Sequence, residues 1–178
     1  MGVRAGGGVP RARLTGAVTL HVVLVEPEIH WNTGAVGRSC LGAGARLHLV
    51  EPLGFSLDES RVRRAGLDYW PRVNPKVWPS WSTLEPEIPS LGEPFFFSTE
   101  GARSYWDLEY PERTVLVFGK ESVGLAPEIR ERWRDRLVSI PMFDPHIRSL
   151  NLSNSVALTL WEVLRQRRAA EGLRKPSS

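Results

Sequence analysis

The stretch VTLHVVLVEPEIHWNTGAVGRSCLGAGARLHLVEP, residues 18–52, decides the fold. Residues 18–27 are β-branched and mostly apolar, as a strand buried on both faces of a parallel sheet must be. Asn32 then offers a cap for a short helix, and glycines close it at 42 and 44. Residues 46–52, RLHLVEP, read as a second strand. Strand, helix and strand in so short a span form the parallel crossover unit of an α/β domain.

The same alternation continues outward. SLDESRVRRAG, 56–66, predicts a helix entered through Ser56 or Asp58. The proline- and tryptophan-rich stretch 70–93 predicts one short helix near 79–86 among connecting loops. PFFFSTEG (94–101) and RTVLVFGKESVG (113–124) predict strands that each run into a small polar turn. APEIRERW, 126–133, has proline in the first turn of a helix. RLVSIPM, 136–142, predicts another strand, and RSLNLSNSVALTLWEVLRQ, 148–166, leads into the longest helix. The expected organisation is one α/β domain over 18–168 with a mostly parallel sheet. Residues 1–17 and 169–178 are expected to be flexible extensions.

Composition narrows the function. The chain has 178 residues, enough for one sizeable core. A single cysteine, Cys40, excludes an internal disulfide or a CxxC pair. The four histidines are scattered, so a zinc site is not expected. No run of apolar residues is long enough for a membrane span, and residues 1–17 lack a signal-peptide core. The cytoplasm is the expected location. Net charge is +3, and lysine occurs only at 76, 120 and 175. Such an arginine bias suits an RNA partner, because guanidinium grips phosphate and stacks on bases. A GC-rich genome produces the same bias.

Standard nucleotide and hydrolase motifs fail. FGKESVG has Glu121 where a phosphate loop needs Ser or Thr. The GAG at 42–44 lies at a helix end, not after a strand. No GxSxG elbow exists. The polar clusters do follow strand ends: Asn32 to Arg38, Ser98 to Gly101, Gly119 to Gly124, and Met142 to Asn154. Ligands of open parallel sheets sit at that edge.

Three of these clusters, NTGAVGR (32–38), FGKESVGL (118–125) and IPM (140–142) followed by RSLNLSN (148–154), resemble the motifs of the SPOUT superfamily of RNA methyltransferases. The match is to its 2′-O-ribose branch, and closest to the small enzymes that methylate the tRNA wobble nucleotide. VEPEIHWNTGAVGR, RLHLVEPLGF and RRAGLDYW strengthen that narrower likeness, which covers roughly 20–166. The resemblance implies a Rossmann-like, mostly parallel sheet whose C-terminal part forms a deep trefoil knot. It implies S-adenosyl-L-methionine as methyl donor, S-adenosyl-L-homocysteine as product, and no metal. By motif, the cofactor contacts are Phe97, Ser98 and Thr99; Gly119, Glu121 and Gly124; and Ile140, Met142, Ser149 and Leu150.

Arg38 matches the family's catalytic arginine. By the resemblance, Asn32 fixes the loop that aims it, and Asn151 orients Arg38 or the ribose. Ser149, Asn151, Ser153 and Asn154 are expected to satisfy backbone groups of the knotted loop. The implied partners are the tRNA anticodon stem-loop and a second copy of the chain, with no membrane. Methylation at another tRNA or rRNA position, or RNA binding without catalysis, remains open at this point.

Other residues have plainer readings. Arg61, Arg63 and Arg64 suit either tRNA backbone or a solvated helix face. Arg130, Arg132, Arg134 and Arg136 read as exposed ion pairs. Trp70, Trp78 and Trp81 read chiefly as core or interface residues. Three positions depart from the family pattern: Trp161 where tyrosine is usual, His30-Trp31 where prolines are usual, and a loop 143–148 longer by one residue.

Overall fold

A computed structural model of the chain describes residues 18–57 and 68–174, with side chains to 170. Seven strands form one sheet: β1 Leu20–Val25, β2 Arg46–Val50, β3 Lys76–Trp78, β4 Glu93–Phe97, β5 Arg103–Ser104, β6 Thr114–Phe118 and β7 Leu137–Ser139. Their order is β3-β2-β1-β6-β4-β7-β5, and every pairing is parallel.

Alternating side chains feed two cores. Val22 and Leu24 of β1, with Phe95 and Phe97 of β4, belong to one core. Val23, Val25 and Phe96 belong to the other. Burial on both faces explains why these strands read as continuous apolar runs. Helices α1 (His30–Ala43) and α6 (Leu152–Arg174) cover the first face. Helical turns α3 (Trp81–Leu84), 85–87 and α4 (Ile88–Leu91) cover the second, together with α5 (Pro127–Arg132). A single helical turn α2, Trp70–Val73, packs on α1.

On α6 the buried positions Val156, Leu160 and Val163 recur at helical spacing. Burying each such side chain is worth roughly 1.5–3 kcal/mol. Leu158 and Trp161 lie on the opposite side of α6, 44% and 50% exposed.

The buried polar groups of the sheet are paired. Trp78 Nε1 donates to His48 Nδ1 at 3.1 Å. His48 Nε2 lies 3.0 Å from His21 Nδ1. Burial holds both imidazoles below their ordinary range, His48 down to about 3.

Several expectations need correction. α1 begins at His30, two residues before the expected cap, and Asn32 is buried inside its first turn. Gly44 ends it in the left-handed region at φ 67°, which glycine adopts without steric cost. The stretch 70–93 holds more structure than one helix: a three-residue strand and a nearly unbroken helical segment over 81–91. β5 is an additional strand, and β7 is shorter than the 136–142 run. Trp78 is a buried hydrogen-bond donor. α6 continues past 168 to Arg174. The extension 1–17, most of the expected helix at 56–66 with Arg61, Arg63 and Arg64, and the last residues of the tail lie outside the described residues.

Candidate functional site

Two loops at the carboxyl edge of the sheet lock together. β1 ends at Val25, and Glu26 turns the chain through a left-handed φ of 52°. That conformation is uncommon for a side-chain-bearing residue. Glu26 N–H donates to Val50 at 2.9 Å, and its carboxylate accepts from Lys120 Nζ at 2.6 Å. The same hydrogen bond raises the Lys120 pKa.

Beyond Glu26 the exchange is reciprocal. The Glu121 carboxylate accepts the backbone N–H groups of Glu28 at 2.8 Å and Ile29 at 3.3 Å. The Glu28 carboxylate accepts the Ser122 N–H at 2.9 Å and hydroxyl at 2.8 Å. Glu121 therefore supplies the anion at the start of α1 that a local cap would otherwise provide. This is why α1 can begin before Asn32.

The loop 119–124 is also closed on itself. Lys120 N–H donates to the Gly124 carbonyl at 3.2 Å, and Gly124 N–H returns to Lys120 at 2.9 Å. A Cβ on Gly119 would overlap the backbone of Gly124 and Leu125, and Gly124 has φ 73°. Both positions require glycine for this closure.

A third segment joins through side-chain amides. Asn32 Nδ2 donates to Glu121 Oε1 at 2.9 Å, and Asn151 Nδ2 donates to Asn32 Oδ1 at 2.9 Å. Asn151 Oδ1 accepts the Ser153 N–H at 2.9 Å and hydroxyl at 2.7 Å, and its carbonyl accepts Ser155 N–H at 3.0 Å. Asn151 is thus the N-cap of α6. One hydrogen-bonded line runs from the start of α6, through α1, to the loop after β6. Of the four residues expected to satisfy backbone groups of the knotted loop, Asn151 instead accepts from Ser153 and Asn154 at the start of α6, and Ser149 is exposed.

Arg38 sits elsewhere on α1. Its guanidinium carbon lies 4.5 Å from the centre of the Tyr69 ring. Tyr69 donates its hydroxyl to the Gly34 carbonyl of α1 at 2.9 Å. The ring is a fixed rest on which the exposed guanidinium lies. The contact of Asn151 is Asn32, six residues from Arg38 on the same helix, so Asn151 acts on the helix that carries the arginine.

The expected cofactor residues gather at the same edge. Phe97 ends β4 and stacks on Phe118 at 4.6 Å, so its ring belongs to the core. Ser98 N–H donates to Val138 at 2.9 Å, and its hydroxyl accepts Glu100 N–H at 3.2 Å. Thr99 follows in that turn. Ile140 and Met142 are half-buried at the exit of β7. Leu150 lines a groove of about 600 Å³ with Ser39, Asn154, Ala157, Leu158 and Trp161. The Glu121 carboxylate is occupied by protein donors. The loop 119–124, the turn at 98–101 and the half-buried Ile140 and Met142 follow the adjacent strands β6, β4 and β7 and so lie side by side at this edge.

Four side chains in this network escape sequence reasoning: Glu26, Glu28, Ser122 and Tyr69. The first three lie inside VEPEIHWNTGAVGR and FGKESVGL, and Tyr69 inside RRAGLDYW, stretches that carry the family likeness without assigning them a role. The arginines read as exposed ion pairs are all paired, Arg130 with Glu100, Arg132 with Glu85, Arg134 with Glu131 and Arg136 with Glu93, but Arg130 is half-buried.

Known proteins resemble this chain in sequence and fold. Residues 19–161 match the SpoU rRNA Methylase family. A tRNA (cytidine(34)-2′-O)-methyltransferase of Polaromonas sp. is 47% identical over 148 residues, covering 82% of this chain and 90% of that protein. One from Burkholderia pseudomallei is 46% identical, covering 82% and 94%. A solved structure described as giving insights into the 2-OH methylation of C/U34 on tRNA has a TM-score of 0.78 and 39% identity, covering 86% of this chain and 99% of that one. The SpoU methyltransferase AviRb from Streptomyces viridochromogenes, solved in complex with AdoMet, has a TM-score of 0.69 at 25% identity, covering 88% and 63%.

Proposed function

This chain belongs to the SpoU rRNA Methylase family, and on that premise we propose that it methylates the ribose 2′-hydroxyl of the wobble nucleotide, cytidine or uridine 34, of tRNA. The donor is S-adenosyl-L-methionine. The observation that carries the reading is the line Asn151–Asn32–Glu121. It ties the helix bearing Arg38 to the loops suited to the donor, in a chain close to proteins named for this reaction.

Bound S-adenosyl-L-methionine supplies an electrophilic methyl on a sulfonium that leaves as a neutral thioether. The loop 119–124, the turn at Ser98-Thr99, and Ile140, Met142, Ser149 and Leu150 would hold it. The ribose oxygen forms the new bond to carbon, and its proton passes to water. Arg38 is no base, because guanidinium keeps its proton above pH 12. Resting on Tyr69, it directs N–H groups at a phosphate beside the target ribose and stabilises charge developing on the oxygen. Asn32, Glu121 and Asn151 position α1. Their effect is on alignment, where a shift of about 1 Å costs roughly 100-fold in rate.

The working form is a homodimer in the cytoplasm, acting on the anticodon stem-loop. The apolar side of α6 with Leu158 and Trp161 exposed beside the groove supports the dimer. The insertion of β7 between β4 and β5, with α6 returning to α1, supports a C-terminal trefoil knot.

The test is incubation with labelled S-adenosyl-L-methionine and unmodified tRNA, followed by mapping of the methylated nucleoside. Label in the ribose of nucleotide 34 is expected. Label elsewhere in the tRNA reassigns the target nucleotide, and no label refutes the enzyme. Arg38→Ala is expected to lower transfer by about 100- to 1,000-fold while calorimetry finds donor affinity unchanged.

A further inference from the structure

Two large rings stand in solvent at the lip of the same loops. Trp106 is 54% exposed and Phe143 is 85% exposed. They are stacked on each other, with ring centres 6.2 Å apart and planes 29° from parallel. Each comes from a different segment. Trp106 follows β5, whose Ser104 pairs with Ser139 of β7. Phe143 lies in the loop that β7 feeds, between Met142 and Ser149. Both therefore sit at the carboxyl edge of the sheet, and one is built into the loop suited to the methyl donor.

Trp106 is the anchored member of the pair. Trp106 N–H donates to the Ser104 hydroxyl at 3.2 Å. The neighbouring Tyr105 ring is buried, with its centre 5.5 Å from that of Trp106. Apolar side chains left together in water mark a surface that a partner covers. The local charge is mixed: Arg103 and Arg148 are exposed, but so are Asp107 and Asp144. Asp144 is turned to its own loop, where it accepts His146 N–H at 2.8 Å. With charge near balance, ring faces rather than phosphate contacts must supply the attraction.

We propose that Trp106 and Phe143 form a stacking platform for a nucleobase that flanks the methylated nucleotide in the RNA loop. This rests on the reading of the chain as a tRNA ribose methyltransferase. Unpaired bases of an RNA loop are splayed and offer flat π faces, and stacking accepts any base. Two exposed rings, 29° from parallel at the lip of the site, present a surface of that size and chemistry.

The experiment uses the full chain, an anticodon stem-loop with 2-aminopurine replacing each base beside the target, and the variants Trp106→Ala, Phe143→Ala, Trp106→Phe and Phe143→Tyr. Each alanine variant is expected to raise KM for RNA by about 5- to 100-fold, with kcat, donor affinity and melting temperature unchanged. The aromatic variants should retain most of the binding. Fluorescence of 2-aminopurine should be quenched on the wild-type protein and not on the alanine variants, and the salt dependence of binding should be the same in all. Unchanged KM and quenching overturn the proposal. So does a loss of donor affinity, which would put the rings against the cofactor, or a change in oligomeric mass, which would put them in a self-contact. If the wild type methylates no tRNA, the parent reading fails while the quenching experiment still reports on the platform.

Discussion

The loops at 119–124 and 140–150 both leave strands of one sheet at the same edge, yet they are built in opposite ways. The first returns its polar groups to the protein: Lys120 to Glu26, Glu121 to α1, Ser122 to Glu28, and its two ends to each other. The second makes short local bonds around Asp144 and leaves Phe143 and Ile147 in solvent. The difference separates two tasks. A loop that fixes the direction of α1 must be complete before a ligand arrives, because alignment set in advance costs nothing during the reaction. A loop that wraps donor and RNA is free to order on binding.

The comparison breaks most visibly at Glu121. Glu121→Ala strands the Asn32 amide and two backbone donors, so methyl transfer should fall by about 100-fold and thermal stability by several degrees. Because Asn32 lies on the same line, Asn32→Ala added to it should cost far less than it does alone. Additive losses in that cycle would mean that the line does not act as one unit.

Acid loosens the sheet beneath both loops together. The buried His21 and His48 titrate below 6.5 in the folded chain. Below that pH the unfolded chain binds more protons, so stability present above about pH 6.5 is lost as pH falls toward 3. The loss from His48 is about 2 kcal/mol by pH 5. Chemical denaturation across that range measures it. Activity that disappears before this loss begins would point to the loops instead of the sheet.

Hydrogen exchange reads the contrast directly. S-adenosyl-L-homocysteine should slow amides of 143–149 by about tenfold or more and leave those of 120–122 nearly unchanged. Equal protection of both loops would erase the distinction. The smallest effect is expected from Lys120→Met, which removes a half-exposed ion pair; melting should move by no more than about 2 °C.

Much of the frame was legible. The runs that became β1, β2, β4 and β6 are apolar on both faces, and that pattern survives any uncertainty at their ends. β3 and β5 are too short to carry a pattern, and pairing with β2 and β7 defines them. α1 was misplaced for a different reason. Its anion comes from Glu121, more than ninety residues away in sequence, and no local rule can locate such a cap. At the site, Asn32, Glu121 and Asn151 were legible only as members of separate motifs. Their contact is a product of the fold. Tyr69 was legible only inside RRAGLDYW, with no role attached, and the Trp106–Phe143 pair left no signal, since nothing in the order of residues tells an aromatic side chain under water from one in the core.

The chain of rings in the sheet carries one more implication. Indole nitrogen has a hydrogen to give and no lone pair to offer, so Trp78 obliges His48 to receive at Nδ1 and, while neutral, to keep its hydrogen on Nε2. His21 must then receive at Nδ1 and hold its own on Nε2. Each imidazole is left a single tautomer, and the three N–H vectors run in one direction from β3 to β1. Nitrogen-15 spectra should show two rings frozen in the same form, a polarity imposed from one end.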